Sequence, residues 1–241
     1  MRIVREDRLM PSPPLAPPAR TRSGVTPFGT AVVCASAALV LLILVAVRWS
    51  PLMTLDRTVA NALHRRAVTE PGLVRMNRIL TDWVWDPWTM RALIAVAVVV
   101  LWWRGARALA MWVAVTSALS TLLQQGLKSA VGRERPHWPN PVDSAHYAAF
   151  PSGHAMTATV TCGLLLWLLR RHGTEPRMWR MALVAAWISV VGVGVTRLYL
   201  GVHWMSDVLG GWLLGAALAG FSIAGFARYE GRSGPALPRR S

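Results

Sequence analysis

The chain has 241 residues, of which 54% are hydrophobic, and its mean hydropathy is positive at +0.38. This composition excludes an ordinary soluble domain, in which apolar residues do not form long uninterrupted segments. The net charge of +15 would indicate nucleic-acid binding in a soluble protein. Because the basic residues mostly flank apolar segments, we predict instead that they set the membrane topology and contact anionic membrane lipids, with no nucleic-acid partner.

The first 27 residues form a basic, proline-rich tail with five arginines and six prolines. Such a segment has too few apolar residues to build a core, so we predict that it is disordered. It is followed by Phe28–Val47, which contains no charged residue. This segment is too long for the apolar core of a signal peptide, and no small-residue cleavage site follows it. We therefore interpret it as a retained membrane helix.

Six apolar segments approach the ~20 residues that a helix needs to cross the hydrocarbon core of a bilayer. They cover approximately residues 28–47, 87–103, 108–127, 151–169, 181–196 and 203–227. We therefore predict an all-α polytopic membrane protein, with one six-span domain over residues 28–227 and a basic C-terminal tail over residues 228–241. Cys34 and Cys162 lie inside apolar segments, which predicts packing rather than a disulfide or a metal site.

The long loop between the first two predicted spans carries two segments, Leu55–Ala67 and Pro71–Trp85, that mix arginine with apolar residues at helical spacing. This pattern predicts amphipathic helices that lie on the membrane surface. With six spans, both termini share one side of the membrane, and that side receives 15 of the 26 basic residues. The positive-inside rule then predicts a multi-pass cell-membrane protein with cytoplasmic termini.

Three polar stretches fall at helix ends on the opposite, extracytoplasmic side of this topology. The first contains Lys128, Arg135 and Pro136, the second is Pro151-Ser152-Gly153-His154, and the third contains Arg197, His203 and Asp207. A charged residue at membrane depth is costly unless it has a partner or a function. Their common side and depth therefore indicate one site rather than three unrelated features.

The residue types in the three stretches suit a phosphate group. Lys128, Arg135 and Arg197 supply three cations, and the two guanidinium groups can each hold phosphate oxygens through paired hydrogen bonds. The second stretch predicts a helix start, at which Ser152 and the free backbone N–H groups near Gly153 would bind an oxyanion. Taken singly, the lysine is explained as an anchor at a helix end, and the second stretch as an ordinary helix cap.

The histidines supply the chemistry of the predicted site. His203 can attack phosphorus, and Asp207 would lie one helical turn away and hold the imidazole in one tautomer. His154 can protonate the leaving oxygen as a general acid. A lone histidine in a membrane helix is otherwise explained as a hydrogen-bonding partner of a neighbouring helix. We interpret Glu134 as a local partner of the arginines on either side of it.

The three stretches resemble the motifs of the type 2 phosphatidic acid phosphatases: Lys, six residues, Arg-Pro; then Pro-Ser-Gly-His; then Ser-Arg, five residues, His, three residues, Asp. The chain matches every element except the serine, where Thr196 keeps a hydroxyl. The resemblance covers about residues 128–210, and the six-span layout extends it over most of the chain. It implies that His203 is the nucleophile that forms a phosphohistidine, that His154 is the acid, and that the cations and Ser152 hold the phosphate.

The resemblance also implies that the protein needs no metal or other cofactor, and the sequence has no carboxylate cluster suited to a metal pair. We therefore predict an integral membrane hydrolase that removes phosphate from a lipid phosphate or lipid diphosphate. A phosphotransferase with a non-water acceptor would use the same residues. A non-catalytic transporter or lipid-binding protein would be expected to lack one of the two histidines or the aspartate.

The predicted cations also bear on the substrate. Three cations can neutralise more than one phosphate charge, so a diphosphate is as plausible as a monophosphate. The arginine-rich composition and short loops suggest a bacterial protein, and recycling of a polyprenyl diphosphate carrier outside the cytoplasmic membrane would need such an enzyme, so a polyprenyl diphosphate is the substrate that we favour. Phosphatidylglycerol phosphate, phosphatidate and phosphorylated lipid-linked sugars are the alternatives. The sequence favours no particular oligomeric state.

Overall fold

The computed structural model describes residues 26–233, and this part of the chain forms helices and connecting loops without a strand. The helices are α1 (Pro27–Ala46), α2 (Ser50–Ala67), α3 (Pro71–Ile79), a π-helical turn (Leu80–Val84), α4 (Pro87–Trp103), α5 (Arg107–Val131), α6 (Gly153–Arg171), α7 (Pro176–Tyr199) and α8 (Met205–Ser233). Most of the predicted N-terminal tail and residues 234–241 lie outside the described residues. α8 continues past Ala227, where we expected the last span to end.

Within the described range, five helical segments are long and apolar enough to cross a membrane. They are Pro27–Ala46, Pro71–Trp103, Arg107–Val131, Pro176–Tyr199 and Met205–Arg232. The chain is therefore a multi-pass, all-helical membrane protein. The predicted fourth span forms α6, which is not among the five because threonines and a histidine dilute its apolar residues. α6 contacts α4, α5, α7 and α8, so neighbouring helices rather than lipid surround much of it.

The loop between the first two predicted spans is helical over most of its length. α2 and α3 occupy the two segments predicted to be amphipathic, although the second segment ends in the π-helical turn. Whether they lie on the membrane surface stays a prediction. Leu52, Asp56 and Ala60 are buried on α2 at four-residue spacing, and α2 packs against α7 and α8. This part of the loop therefore belongs to the packed structure.

Two glycines one turn apart let α8 approach α6 closely. A Cβ atom on Gly211 would lie 2.7 Å from the backbone oxygen of Ser152, and one on Gly215 would lie 2.8 Å from Cβ of Thr159. Larger residues at either position would force the two helices apart. The close packing brings the starts of the two helices together, where the backbone N–H of Ser152 donates to the backbone oxygen of Asp207 at 2.9 Å.

Candidate active site

The turn between α7 and α8 carries the predicted nucleophile. Gly201 has a φ of 68°, which glycine adopts readily because it lacks a Cβ atom, and α8 begins only at Met205. His203 therefore lies in the turn, whereas Asp207 lies in the first turn of α8. Our expectation that both share one helix face is wrong. Asp207 is the third residue of α8, and its Oδ2 reaches back to accept a hydrogen bond from the backbone N–H of Trp204 at 2.8 Å, as in a capping box.

Two contacts fix the orientation of the His203 ring, which is 2% exposed. Nδ1 lies 3.4 Å from Oδ2 of Asp207, and Nε2 lies 3.1 Å from Nη1 of Arg135. A guanidinium group donates and cannot accept, so Nε2 must accept and Nδ1 must carry the proton that faces Asp207. Burial, and after it the charge of Arg135, lowers the pKa of His203 well below its usual value of 6.5. The ring is therefore neutral near pH 7, with a lone pair on Nε2.

Two of the three predicted cations also hold the backbone around the site. Nζ of Lys128 donates to the backbone oxygen of Ala148, and Nη1 of Arg135 donates to the backbone oxygen of Val202, next to His203. Lys128 is 7% exposed and lies within electrostatic range of Arg135 and Arg197. Three cations in one buried region repel one another, and an anion between them would relieve that repulsion.

The third cation, Arg197, is buried on α7 against the π-helical turn. Its Nη1 donates to Oγ1 of Thr81 at 3.3 Å, and its Nε has no hydrogen-bond partner among the described residues. Asp82 and Asp143 lie within electrostatic range and offset part of its charge. π-Helical turns occur frequently at functional sites, and this one places a hydroxyl group against a buried guanidinium. Arg197 therefore keeps an unused donor.

The start of α6 supplies the remaining predicted residues. Oγ of Ser152 accepts from the backbone N–H of Ala155 at 3.5 Å, so Ser152 is the N-cap, and Gly153 is the first helical residue. His154 lies within electrostatic range of Arg197 and His203. The structure thus brings all eight predicted site residues into one region: Lys128, Arg135, Ser152, Gly153, His154, Arg197, His203 and Asp207.

The sequence interpretation missed an arginine at the centre of this region. Nη1 of Arg133 donates to Oδ1 of Asp207 at 2.6 Å, and its Nη2 donates to Oδ2 of Asp56 at 2.7 Å. Our expectation that the arginines beside Glu134 pair with it does not hold for Arg133, which forms buried ion pairs with two distant carboxylates. Arg133 therefore fixes the carboxylate that orients His203.

The carboxylate of Asp56 extends this network from α2 to α8. Its two oxygens accept from the backbone N–H of Ser206, at 2.9 Å, and from the hydroxyl of Ser206, at 2.5 Å. Asp56 is the one acidic residue of α2, and its spacing from Leu52 and Ala60 places it on the apolar face. That signal was present in the sequence, because an acid on the buried face of an amphipathic helix needs a partner.

A stacked pair of rings covers the outer side of the turn. The rings of His64 and Trp138 lie 4.0 Å apart, and Nε1 of Trp138 donates to the backbone oxygen of Gly201 at 2.9 Å. A Cβ atom on Gly201 would lie 2.7 Å from that same Nε1. Glycine at this position is therefore required both by the backbone conformation and by the close approach of the indole ring.

Comparisons with known proteins identify the family of the chain. The sequence model of the PAP2 superfamily matches residues 109–229, half of the chain. The chain belongs to the PAP2 superfamily. This PAP2 protein is also similar to a solved structure, a transmembrane PAP2-type phosphatidylglycerolphosphate phosphatase from Bacillus subtilis. The TM-score is 0.72 at 25% identity, over 83% of this chain and 96% of that one.

Two relatives with assigned activities show how far the similarity extends. Phosphatidylglycerophosphatase B of Bacillus subtilis is 37% identical over 106 residues, 44% of this PAP2 protein and 51% of the relative. Undecaprenyl-diphosphatase of Sulfolobus acidocaldarius is 28% identical over 171 residues, 66% of this chain and 72% of the relative. The chain therefore spans about half the length of the first relative and more of the second.

Proposed function

We propose that this PAP2 protein is an integral membrane phosphatase that hydrolyses a lipid phosphate or lipid diphosphate through a phosphohistidine at His203. The observation that carries the proposal is the position of the His203 ring, whose Nδ1 lies 3.4 Å from Oδ2 of Asp207 and whose Nε2 lies 3.1 Å from Nη1 of Arg135. The Nε2 atom lies among cations that can hold a phosphate group.

The proposed reaction has two steps. Nε2 of His203 attacks phosphorus, a P–N bond forms, and the P–O bond to the lipid breaks while His154, which enters this step as the imidazolium, gives a proton to the leaving oxygen and becomes neutral. Water then attacks the phosphohistidine, His154 takes a proton from that water, and the P–N bond breaks to release phosphate. Asp207 accepts the hydrogen bond of Nδ1–H throughout and stabilises the positive charge that the ring acquires.

We propose a polyprenyl diphosphate as the favoured substrate and phosphatidylglycerol phosphate as the second candidate. The first is supported by three cations around one site and by the similarity to an undecaprenyl-diphosphatase. The second is supported by the similarities to a phosphatidylglycerophosphatase and to a phosphatidylglycerolphosphate phosphatase of known structure. For either lipid, the apolar tail can stay in the bilayer while the phosphate enters the site.

Purified protein in detergent should release free phosphate from polyprenyl diphosphate and should continue to do so in EDTA. The reason is that the cations and histidines supply the charge and the nucleophile without a metal ion, and the described residues contain no acid, histidine or cysteine cluster suited to metal binding. Vanadate should inhibit, because it mimics five-coordinate phosphorus. The measurement is phosphate release across a panel of lipid phosphates.

Two outcomes of that assay would contradict the proposal. Loss of turnover in EDTA that magnesium restores would contradict the metal-independent reaction. Transfer of the phosphoryl group to an added alcohol, with no free phosphate from lipid and water alone, would identify a phosphotransferase.

We further propose six membrane spans, in which α6 is the fourth along the chain and adds to the five apolar helical segments, with cytoplasmic termini and an extracytoplasmic site. A cysteine replacing Asn140, in the exposed loop beside the site, should then react with a membrane-impermeant maleimide in intact cells. A cysteine replacing Glu175, between α6 and α7, should react only after lysis and serves as the control. Cys34 and Cys162 are first replaced by alanine. Labelling of position 140 only after lysis would show that this loop faces the cytoplasm and would contradict the proposed orientation.

A further inference from the structure

A cavity of about 460 Å³ lies next to the network that orients His203, and it has no assigned occupant. Its walls are the end of α1, the first half of α2, the end of α5 with the loop that follows it, and Trp204. The volume is within the range of pockets that hold small ligands. None of the eight residues of the proposed active site lines it. The cavity therefore has room for a ligand of its own.

Three charged side chains at this cavity have no partner in the part of the chain that the structure describes. Arg48 and Arg57 form no ion pair or hydrogen bond there, and neither does the carboxylate of Glu134. Arg48 also has a φ of 52° directly after the C-cap of α1, where glycine is the preferred residue. A residue other than glycine in this conformation indicates a function for its side chain.

The start of α2 adds further hydrogen-bond donors to the same wall. α2 begins at Ser50, which lines the cavity, and no side chain caps its first N–H groups. Free N–H groups at a helix start favour a phosphate group. Arg133, by contrast, is already held by two carboxylates. The donors available to a ligand are therefore Arg48, Arg57 and the start of α2.

The apolar wall of the cavity favours a lipid over a soluble phosphate ester. Val45 and Ala46 line it at the end of α1, an apolar helix long enough to cross a membrane. The next residues along the chain include Val47 and Trp49, which are 65% and 48% exposed. Tryptophan at the end of a membrane helix is typical of the head-group region. Lipid tails can therefore lie along α1 while the head group occupies the cavity.

We propose that this cavity binds a phospholipid that carries one phosphodiester charge and hydroxyl groups on its head group, and that the bound lipid is not the substrate. The phosphate accepts hydrogen bonds from Arg48, Arg57 and the start of α2, and a head-group hydroxyl donates to Glu134. Three arginines and two acids line the cavity, so the single negative charge of the lipid neutralises their net charge. A zwitterionic head group would leave that charge uncompensated.

The test measures binding of short-chain phosphatidylglycerol to the full chain in detergent by titration calorimetry. Orthovanadate is present throughout to occupy the proposed catalytic site. Arg48→Gln combined with Arg57→Gln should raise the Kd about tenfold or more, because charge-assisted hydrogen bonds are lost. The matched control combines Arg65→Gln with Arg75→Gln, which removes the same charge from two exposed arginines outside the cavity and should keep the wild-type Kd.

The remaining outcomes each overturn one part of the proposal. Equal loss of affinity in the control would show that only the net charge of the protein attracts the lipid. Glycerol 1-phosphate that binds as tightly as the lipid would identify a site for a soluble phosphate ester, and equal affinity for phosphatidylethanolamine would contradict the preferred head group. Lipid that binds only without orthovanadate would lie in the catalytic site.

If the double variant does not fold, Arg57→Gln alone is used, because Arg57 is exposed on α2 and its backbone is helical. An unchanged Kd in that variant would contradict the proposal. Binding is measured without turnover, so a protein that releases no phosphate from any lipid would contradict the proposed function and leave this result unaffected.

Discussion

Replacing His203 with alanine should reduce phosphate release to the level without enzyme. The described residues near the three cations contain no other side chain placed to attack phosphorus, because His154 is expected to act on the leaving oxygen. Removing the imidazole also leaves Asp207 and Arg135 without the ring that lies between them. We expect the helices to remain packed, since the turn at Gly201 is fixed by its own backbone and by Trp138.

Two measurements test this result. The first is the rate of phosphate release from lipid, and the second is acid-labile phosphate on the protein after rapid quenching of a labelled reaction. The matched control is His172→Ala at the other end of α6, where Nδ1 of the imidazole lies 2.8 Å from the backbone oxygen of Leu168. Wild-type turnover in His203→Ala would rule out the covalent mechanism.

Replacing Asp207 with asparagine should preserve the fold and slow turnover by about 10⁴-fold, the magnitude known for the equivalent change in a Ser-His-Asp triad. The carboxylate accepts from Nδ1–H of His203, from the backbone N–H of Trp204 and from Arg133. An amide has one acceptor atom and cannot serve all three donors. The imidazole would then lose the partner that keeps its lone pair on Nε2.

Asp56→Asn is the comparison that isolates this effect. Both carboxylates form a buried ion pair with Arg133, so each asparagine variant should lower the free energy of unfolding, by up to about 3–5 kcal/mol. Asp56 does not contact His203, and its variant should therefore lose much less activity. Thermal unfolding in detergent and kcat are measured for both variants. An equal loss of kcat would mean that Asp207 acts through the network and not through the ring.

The parts of the structure that the sequence predicted are those with strong local signals. The second predicted span coincides with α4, Pro87–Trp103, because a mostly apolar segment begins at a proline and ends at arginine and glycine. The start of α6 followed from the Pro-Ser-Gly stretch. Motif spacing gave the set of residues that meet in the site.

The parts that the sequence did not predict depend on long-range pairing or on competition between local structures. Asp56 and Arg133 are 77 residues apart, and each alone resembles an ordinary surface charge. The four-residue spacing of His203 and Asp207 suits a helix, but capping by Asp207 and the positive φ of Gly201 place the helix start between them. The π-helical turn at Leu80–Val84 depends on packing against α7 and has no compositional signal.

The hydrogen bond between Ser152 and Asp207 has a mechanical consequence. A bilayer that becomes thinner or thicker changes the tilt of the helices embedded in it. His154 follows Ser152 by two residues and His203 precedes Asp207 by four, so this bond links the proposed proton donor and nucleophile across two helices. Gly211 and Gly215 keep those helices in close contact, so α6 and α8 would tilt together as one rigid body. The distance between the two imidazoles would then change little when the membrane deforms.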